Sequence, residues 1–117
     1  MVTIYHNPRC SKSRKALALI EDQGLKAEVV LYLKTPPSSD TITELLQKLG
    51  MTARDIIRTS EAAYKENNLK ESSLSEETLI AAIVAHPILL ERPIVVKGKR
   101  AIIGRPPENV SSLFSII

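Results

Sequence analysis

The sequence predicts a mixed α/β domain, and three observations carry that expectation. Residues 2–33 read as strand, helix, strand. Within residues 38–90, apart from a polar stretch at 60–74, apolar side chains recur at helical spacing, and a hairpin pattern follows them. A chain of 117 residues is long enough to bury one hydrophobic core.

Residues 2–6 (VTIYH) are rich in β-formers, and Asn7-Pro8 breaks the strand. A helix is expected from Ser11 to Gln23, with Ala16, Leu17 and Ile20 on its apolar face and Gly24 ending it. Residues 27–33 (AEVVLYL) read as a second, more buried strand. Two strands joined by a helix pair in parallel through a right-handed crossover.

Thr35-Pro36-Pro37-Ser38 forms a turn. The next helix is capped by Ser39 or Asp40, carries Ile42, Leu45, Leu46 and Leu49 on one face, and closes at Gly50. A short helix turns Ala53, Ile56 and Ile57 to one side, and residues 60–74 are polar with no clear pattern. Ser75-Glu76-Glu77 opens a further helix with Leu79, Ile80, Ile83 and Val84 inward, and His86-Pro87 ends it. Pro93 to Val96 and Ala101 to Ile103 are strands around Lys97-Gly98-Lys99, and Pro106-Pro107 precedes a last helix from Glu108 to Leu113. This order describes a thioredoxin-like core: strand-helix-strand, then hairpin and final helix. An all-helical insertion occupies about 38–90 of a single domain spanning 1–117.

Hydrophobic residues make up 44% and charged residues 25%, the mix of an ordinary soluble globular domain. No apolar run approaches the ~20 residues that span a bilayer. The first residues lack the basic-then-apolar pattern of a secretory signal. No membrane association and a cytoplasmic location are therefore expected. The net charge of +3 suits an anionic small molecule, whereas scattered basic residues and 3% aromatics argue against nucleic acid as a partner.

The single cysteine, Cys10, excludes a disulfide within the chain and a cysteine-rich metal site, so no metal is expected. Cys10 lies where strand gives way to helix. Free N–H groups and the helix dipole favour a thiolate there, and the thiolate is the nucleophile. Arg9, Lys12 and Arg14 add positive charge, Ser13 is placed to donate its hydroxyl to the sulfur, and His6 adds to the field if protonated. A buried, inert cysteine is the alternative, but Asn7-Pro8-Arg9-Cys10-Ser11-Lys12-Ser13-Arg14 is too polar for a core. Ser13 stands where a dithiol motif has its second cysteine, so a partner thiol must come from outside. Ala16 occupies the position where a tyrosine-phosphatase loop needs arginine.

A nucleophile needs its target held close, and arginine forks suit tetrahedral oxyanions. Arg92 opens the first hairpin strand and Arg105 ends the second, so antiparallel pairing brings them together. In a thioredoxin-like core the loop before that strand adjoins the first helix, which makes Pro93 a candidate cis-proline. Arg58 is a third candidate, near a boundary because Ile56 and Ile57 face inward. The alternative for each arginine is a plain surface charge.

These residues resemble the glutathione- and glutaredoxin-coupled arsenate reductase family. The matching segments are Ile4 to Arg14, Leu31-Tyr32-Leu33 with Pro36-Pro37, Leu49-Gly50 to Arg58, His86-Pro87-Ile88-Leu89 with Glu91 to Val96, and Gly104-Arg105-Pro106. The likeness covers nearly the whole chain. It implies a thiol–arsenate adduct on Cys10, with Arg58, Arg92 and Arg105 on the oxyanion and His6, Asn7 and Ser13 shaping the thiolate's surroundings. Glutathione is implied as co-substrate, glutaredoxin as the protein partner that reduces the mixed disulfide, and no cofactor as tightly bound. The chain ends soon after Arg105, whereas well-known members carry a longer tail; the matched residues precede it, so the chemistry is expected to survive. Two other readings stay open: a monothiol disulfide oxidoreductase, and a regulatory interaction module in which Cys10 is a sensor.

Overall fold

The computed structural model describes residues 2–114. The chain divides into two compact units: residues up to Thr35 with those from Arg92 onward, and Pro36–Glu91.

The first unit holds a four-stranded sheet. Its strands are β1 (Val2–Tyr5), β2 (Ala27–Val30), β3 (Ile94–Lys97) and β4 (Arg100–Ile103), in the order β2-β1-β3-β4. β1 pairs parallel with β2 and antiparallel with β3, and β3 pairs antiparallel with β4. Helix α1 (Ser11–Asp22) connects β1 to β2, and a 3₁₀ segment, Pro107–Leu113, follows β4. The core joins Val2, Ile4 and Val95 of the sheet with Ala16 and Ile20 of α1 and Val110 and Leu113 of the 3₁₀ segment. Alternation on β1 places Val2 and Ile4 on one face, and helical spacing places Ala16 and Ile20 on one stripe. The α/β, thioredoxin-like architecture expected from the element order is present.

The details differ in instructive ways. The second strand stops at Val30, because Leu31 starts a turn whose carbonyl accepts from the N–H groups of Lys34 and Thr35 at 2.9 Å each. It is an edge strand and not a buried one: Glu28 and Val29 are exposed. The hairpin turn places Gly98 at positive φ (63°) in its first central position, the conformation that a two-residue type II′ turn requires. The last helix is 3₁₀ and begins one residue earlier than expected, at Pro107.

In the second unit, α2 spans Ser39–Leu49. Its cap is Ser38, earlier than either expected residue, because the extended backbone there (ψ 168°) lets the hydroxyl accept from the Thr41 N–H at 3.2 Å. Gly50 ends α2 in the left-handed region, φ 68°. A 3₁₀ turn covers Ala53–Ile56 and the polar stretch contains the short α3 (Ala62–Glu66). Helix α4 (Glu76–Ala85) follows, capped by Ser75, and buries Leu79, Ile80 and Ile83, while Val84 is half-buried. A 3₁₀ turn, Pro87–Leu89, closes the unit. No described helix is long and apolar enough to cross a membrane.

Candidate active site

Cys10 occupies the N-cap of α1 with extended backbone, φ −95° and ψ 122°. Asn7 builds the turn before it. The Asn7 carbonyl accepts from the Cys10 N–H and its side-chain Oδ1 accepts from the Arg9 N–H, each at 3.0 Å. Pro8 lies between, and its carbonyl accepts from Arg14 Nη1 at 2.9 Å. The Cys10 carbonyl takes the first helical bond, from the Arg14 N–H at 3.0 Å. The loop is thus held from both sides, and Cys10 remains partly exposed at its apex.

Beneath the loop lie three buried polar residues, His6, Asn7 and Ser13. The Ser13 hydroxyl accepts from the Asn7 N–H at 3.1 Å and lies 2.6 Å from His6 Nδ1. Burial, and then the nearby charge of Arg14, push the His6 imidazole below its ordinary pKa. This shift works against a charged His6, which meets the loop through Ser13.

Burial alone would raise the Cys10 thiol, but four influences outweigh it and hold the group below its ordinary range. The largest is the backbone N–H of Ser13, followed by the guanidinium of Arg92, the backbone N–H of Lys12 and the positive charge of Arg92. Two expectations change accordingly. Ser13 serves the sulfur through its amide, because its hydroxyl is engaged by His6 and Asn7. The cation at the sulfur is Arg92 rather than its sequence neighbours Arg9, Lys12 and Arg14.

Register explains why Arg92 arrives there. Tyr5 pairs with Ile94, and Ile94 with Ile103. Asn7 follows Tyr5 by two residues, as Arg105 follows Ile103 and Arg92 precedes Ile94, so the pairing brings the three segments to the same end of the sheet. Arg105 Nη1 donates to the Arg92 carbonyl at 3.4 Å. Both arginines precede prolines in cis linkage, Arg92-Pro93 and Arg105-Pro106; only the first was expected. Gly104 sits behind them: its N–H donates to the Pro93 carbonyl at 2.9 Å, and a Cβ there would meet Pro93 Cγ at 2.9 Å. In the sequence Gly104 stands out only as part of a matching segment, since nothing there shows which side chain lies across from it.

Arg58 belongs to the helical unit. A bridge between Ile57 and Leu90, with the Arg58 N–H donating to the Leu89 carbonyl at 2.8 Å, fixes its backbone. Its Nε donates to Glu61 at 3.2 Å and its Nη1 to Glu91 at 2.8 Å. Burial works against its charge, but Glu61 and Glu91 more than offset that and raise its pKa. In the sequence Glu91 stands out only within a matching segment and Glu61 not at all, although Glu61 stands three residues after Arg58 and Glu91 directly before Arg92.

The sequence profile of the ArsC family matches residues 5–113. The uncharacterized protein YfgD of Escherichia coli (strain K12) is 58% identical over 110 residues, which is 93% of this chain and 92% of that protein. An arsenate reductase of Neisseria meningitidis is 47% identical over 113 residues, 96% of this chain and 97% of its own. Among solved structures, an arsenate reductase from Vibrio cholerae superposes with a TM-score of 0.93 at 51% identity, covering 95% of each chain. With matches extending over almost its full length, this chain belongs to the ArsC family.

Proposed function

We propose that the chain reduces arsenate to arsenite through a covalent adduct on Cys10, with glutathione and glutaredoxin supplying the electrons. The observation that carries this reading is the pairing of a lowered thiol pKa at Cys10 with the Arg92 guanidinium on the same sulfur. A nucleophile and a two-donor fork for a tetrahedral anion then act at one point. Similarity along nearly the whole chain to the arsenate reductases of Neisseria meningitidis and Vibrio cholerae favours arsenate as the anion.

In this reading the Cys10 thiolate attacks arsenic, a sulfur–arsenic bond forms, and one arsenate oxygen leaves as water after protonation. Arg92 and Arg105 hold the remaining oxygens and spread their charge. A glutathione thiolate then attacks the Cys10 sulfur. The electron pair of the sulfur–arsenic bond stays on arsenic, which departs as arsenite, and Cys10 is left joined to glutathione in a disulfide. A glutaredoxin thiol reduces that disulfide and restores the thiolate. The lone cysteine fits this need for outside thiols, as does a reducing compartment such as the cytoplasm. Electrons come from thiols, so the route uses no metal and no tightly bound cofactor.

His6, Asn7 and Ser13 are assigned to holding the loop on which the thiolate forms. For Arg58, whose guanidinium Glu61 and Glu91 hold, a role on the oxyanion is what the family resemblance implies. The test is arsenite formation by the purified chain with arsenate, glutathione and glutaredoxin. Turnover that vanishes in Cys10→Ser and on omission of glutathione supports the reading. Disulfide exchange without arsenite formation supports the monothiol oxidoreductase instead.

A further inference from the structure

We propose that Arg9 and Lys12 select the second substrate by recognising the carboxylates of glutathione. This rests on the reading of Cys10 as a nucleophile served by an outside thiol.

The two residues flank Cys10 in a fixed frame. Arg9 immediately precedes it, its N–H tied to Asn7 Oδ1 at 3.0 Å. Lys12 lies in the first turn of α1, and its N–H is one of the amides favouring the thiolate. Both side chains are exposed. The other basic side chains of the site are already engaged: Arg14 on the Pro8 carbonyl, Arg92 on the sulfur, and Arg105 on the Arg92 carbonyl. Arg9 and Lys12 have no ion-pair partner among the described residues, and the charge that stabilises the thiolate is not theirs. Residues 1–20 contain Arg9, Lys12, Arg14 and Lys15 but no Asp or Glu, so no carboxylate of that stretch neutralises them.

Glutathione is complementary to this arrangement. Its thiol sits in the middle of the molecule and a carboxylate lies at each end. An attack that brings its sulfur to Cys10 carries the two ends past the loop, in which exposed Arg9 precedes Cys10 and exposed Lys12 follows it. Arsenate needs the Arg92 fork; the thiol that follows it needs point charges within reach of solvent, which exposed Arg9 and Lys12 offer.

Thiol–disulfide exchange tests this without arsenate. The Cys10 thiolate attacks one sulfur of oxidised glutathione; that disulfide bond breaks, a Cys10–glutathione disulfide forms, and one glutathione thiolate leaves. Rates are compared with those for neutral 2-hydroxyethyl disulfide and cationic cystamine. The double variant Arg9→Gln, Lys12→Gln is expected to react about tenfold more slowly with oxidised glutathione and within about twofold of wild type with the neutral disulfide. About 1 M salt, which shortens electrostatic reach to about 3 Å, should erase the wild-type preference. Arg9→Glu, Lys12→Glu should prefer cystamine. In the coupled assay, the Gln variant should raise KM for glutathione and leave kcat unchanged. An unchanged rate with oxidised glutathione, or an equal loss with all three disulfides, overturns the proposal. If exchange shows the preference but no arsenite forms, the arsenate reading fails and this one stands; arsenite formation without the preference gives the reverse.

Discussion

Arg92 directs its guanidinium to the sulfur of Cys10, although 82 positions separate the two in the chain. The antiparallel pairing of β1 with β3 makes that possible, because residues just after Tyr5 run beside residues just before Ile94. Removing this cation should raise the thiol's pKa. Arg92→Ala is expected to move the midpoint of Cys10 alkylation upward by roughly one pH unit, and Arg92→Lys by less. The thiolate is fully formed above the folded-state pKa and is lost as pH falls through it. Alkylation rates with a neutral reagent across the pH range check this, and an unmoved midpoint in Arg92→Ala would remove Arg92 from the thiolate's surroundings.

Ser13 offers a contrast. Its hydroxyl joins His6 Nδ1 and the Asn7 N–H, while its amide serves the sulfur. Ser13→Ala therefore keeps the amide and leaves two buried groups without their bond. It should cost about 1–3 kcal/mol of stability in urea unfolding and shift the alkylation midpoint less than Arg92→Ala does. A larger shift than that of Arg92→Ala would show that the hydroxyl acts on the sulfur directly.

The pKa of buried His6 is lowered by burial and by Arg14. In the unfolded chain it titrates near the ordinary value of about 6.5. Between the folded and unfolded values the unfolded chain binds more protons, so folding weakens as pH falls through that window and is unaffected above it. Thermal midpoints measured from pH 8 to about pH 5 should fall more steeply for wild type than for His6→Gln, which has no such titration.

Gly104 has no room for a side chain. A Cβ would lie 2.9 Å from Pro93 Cγ and 3.2 Å from Val110 Cγ1. Gly104→Ala should destabilise by about 1–3 kcal/mol and displace the segment that carries Arg92. Chemical denaturation with parallel alkylation measures both effects; a wild-type unfolding curve would mean that Pro93 and Val110 yield without cost.

What the sequence revealed follows from what is local in it. Short runs of β-formers on both sides of Lys97-Gly98-Lys99 identify the hairpin, and a hairpin brings Arg92 and Arg105 to the same end whatever else the chain does. The break at Asn7-Pro8 likewise sets Cys10 at a helix start. Strand order is not local: residues 27–33 look buried by composition, yet β2 is at the sheet edge with Val29 exposed. Direction is not local either. Arg9, Lys12 and Arg14 are near Cys10 along the chain, but the cation on the sulfur comes from β3's approach. Which part of Ser13 meets the sulfur depends on where the His6 ring lies, and the packing at Gly104 depends on the course of the Arg92-Pro93 segment; neither is written in residue spacing.

In the function proposed above, Cys10 reduces arsenate by passing through a covalent bond to it. A single-turnover experiment tests this most directly: reduced protein is mixed with arsenate and glutathione, without glutaredoxin, then stopped and measured for arsenite and for the mass of the chain. One arsenite is expected for each chain that carries glutathione on Cys10, and neither product from Cys10→Ser. Arsenite no greater than in Cys10→Ser, or glutathione on Cys10 without arsenite, would contradict it.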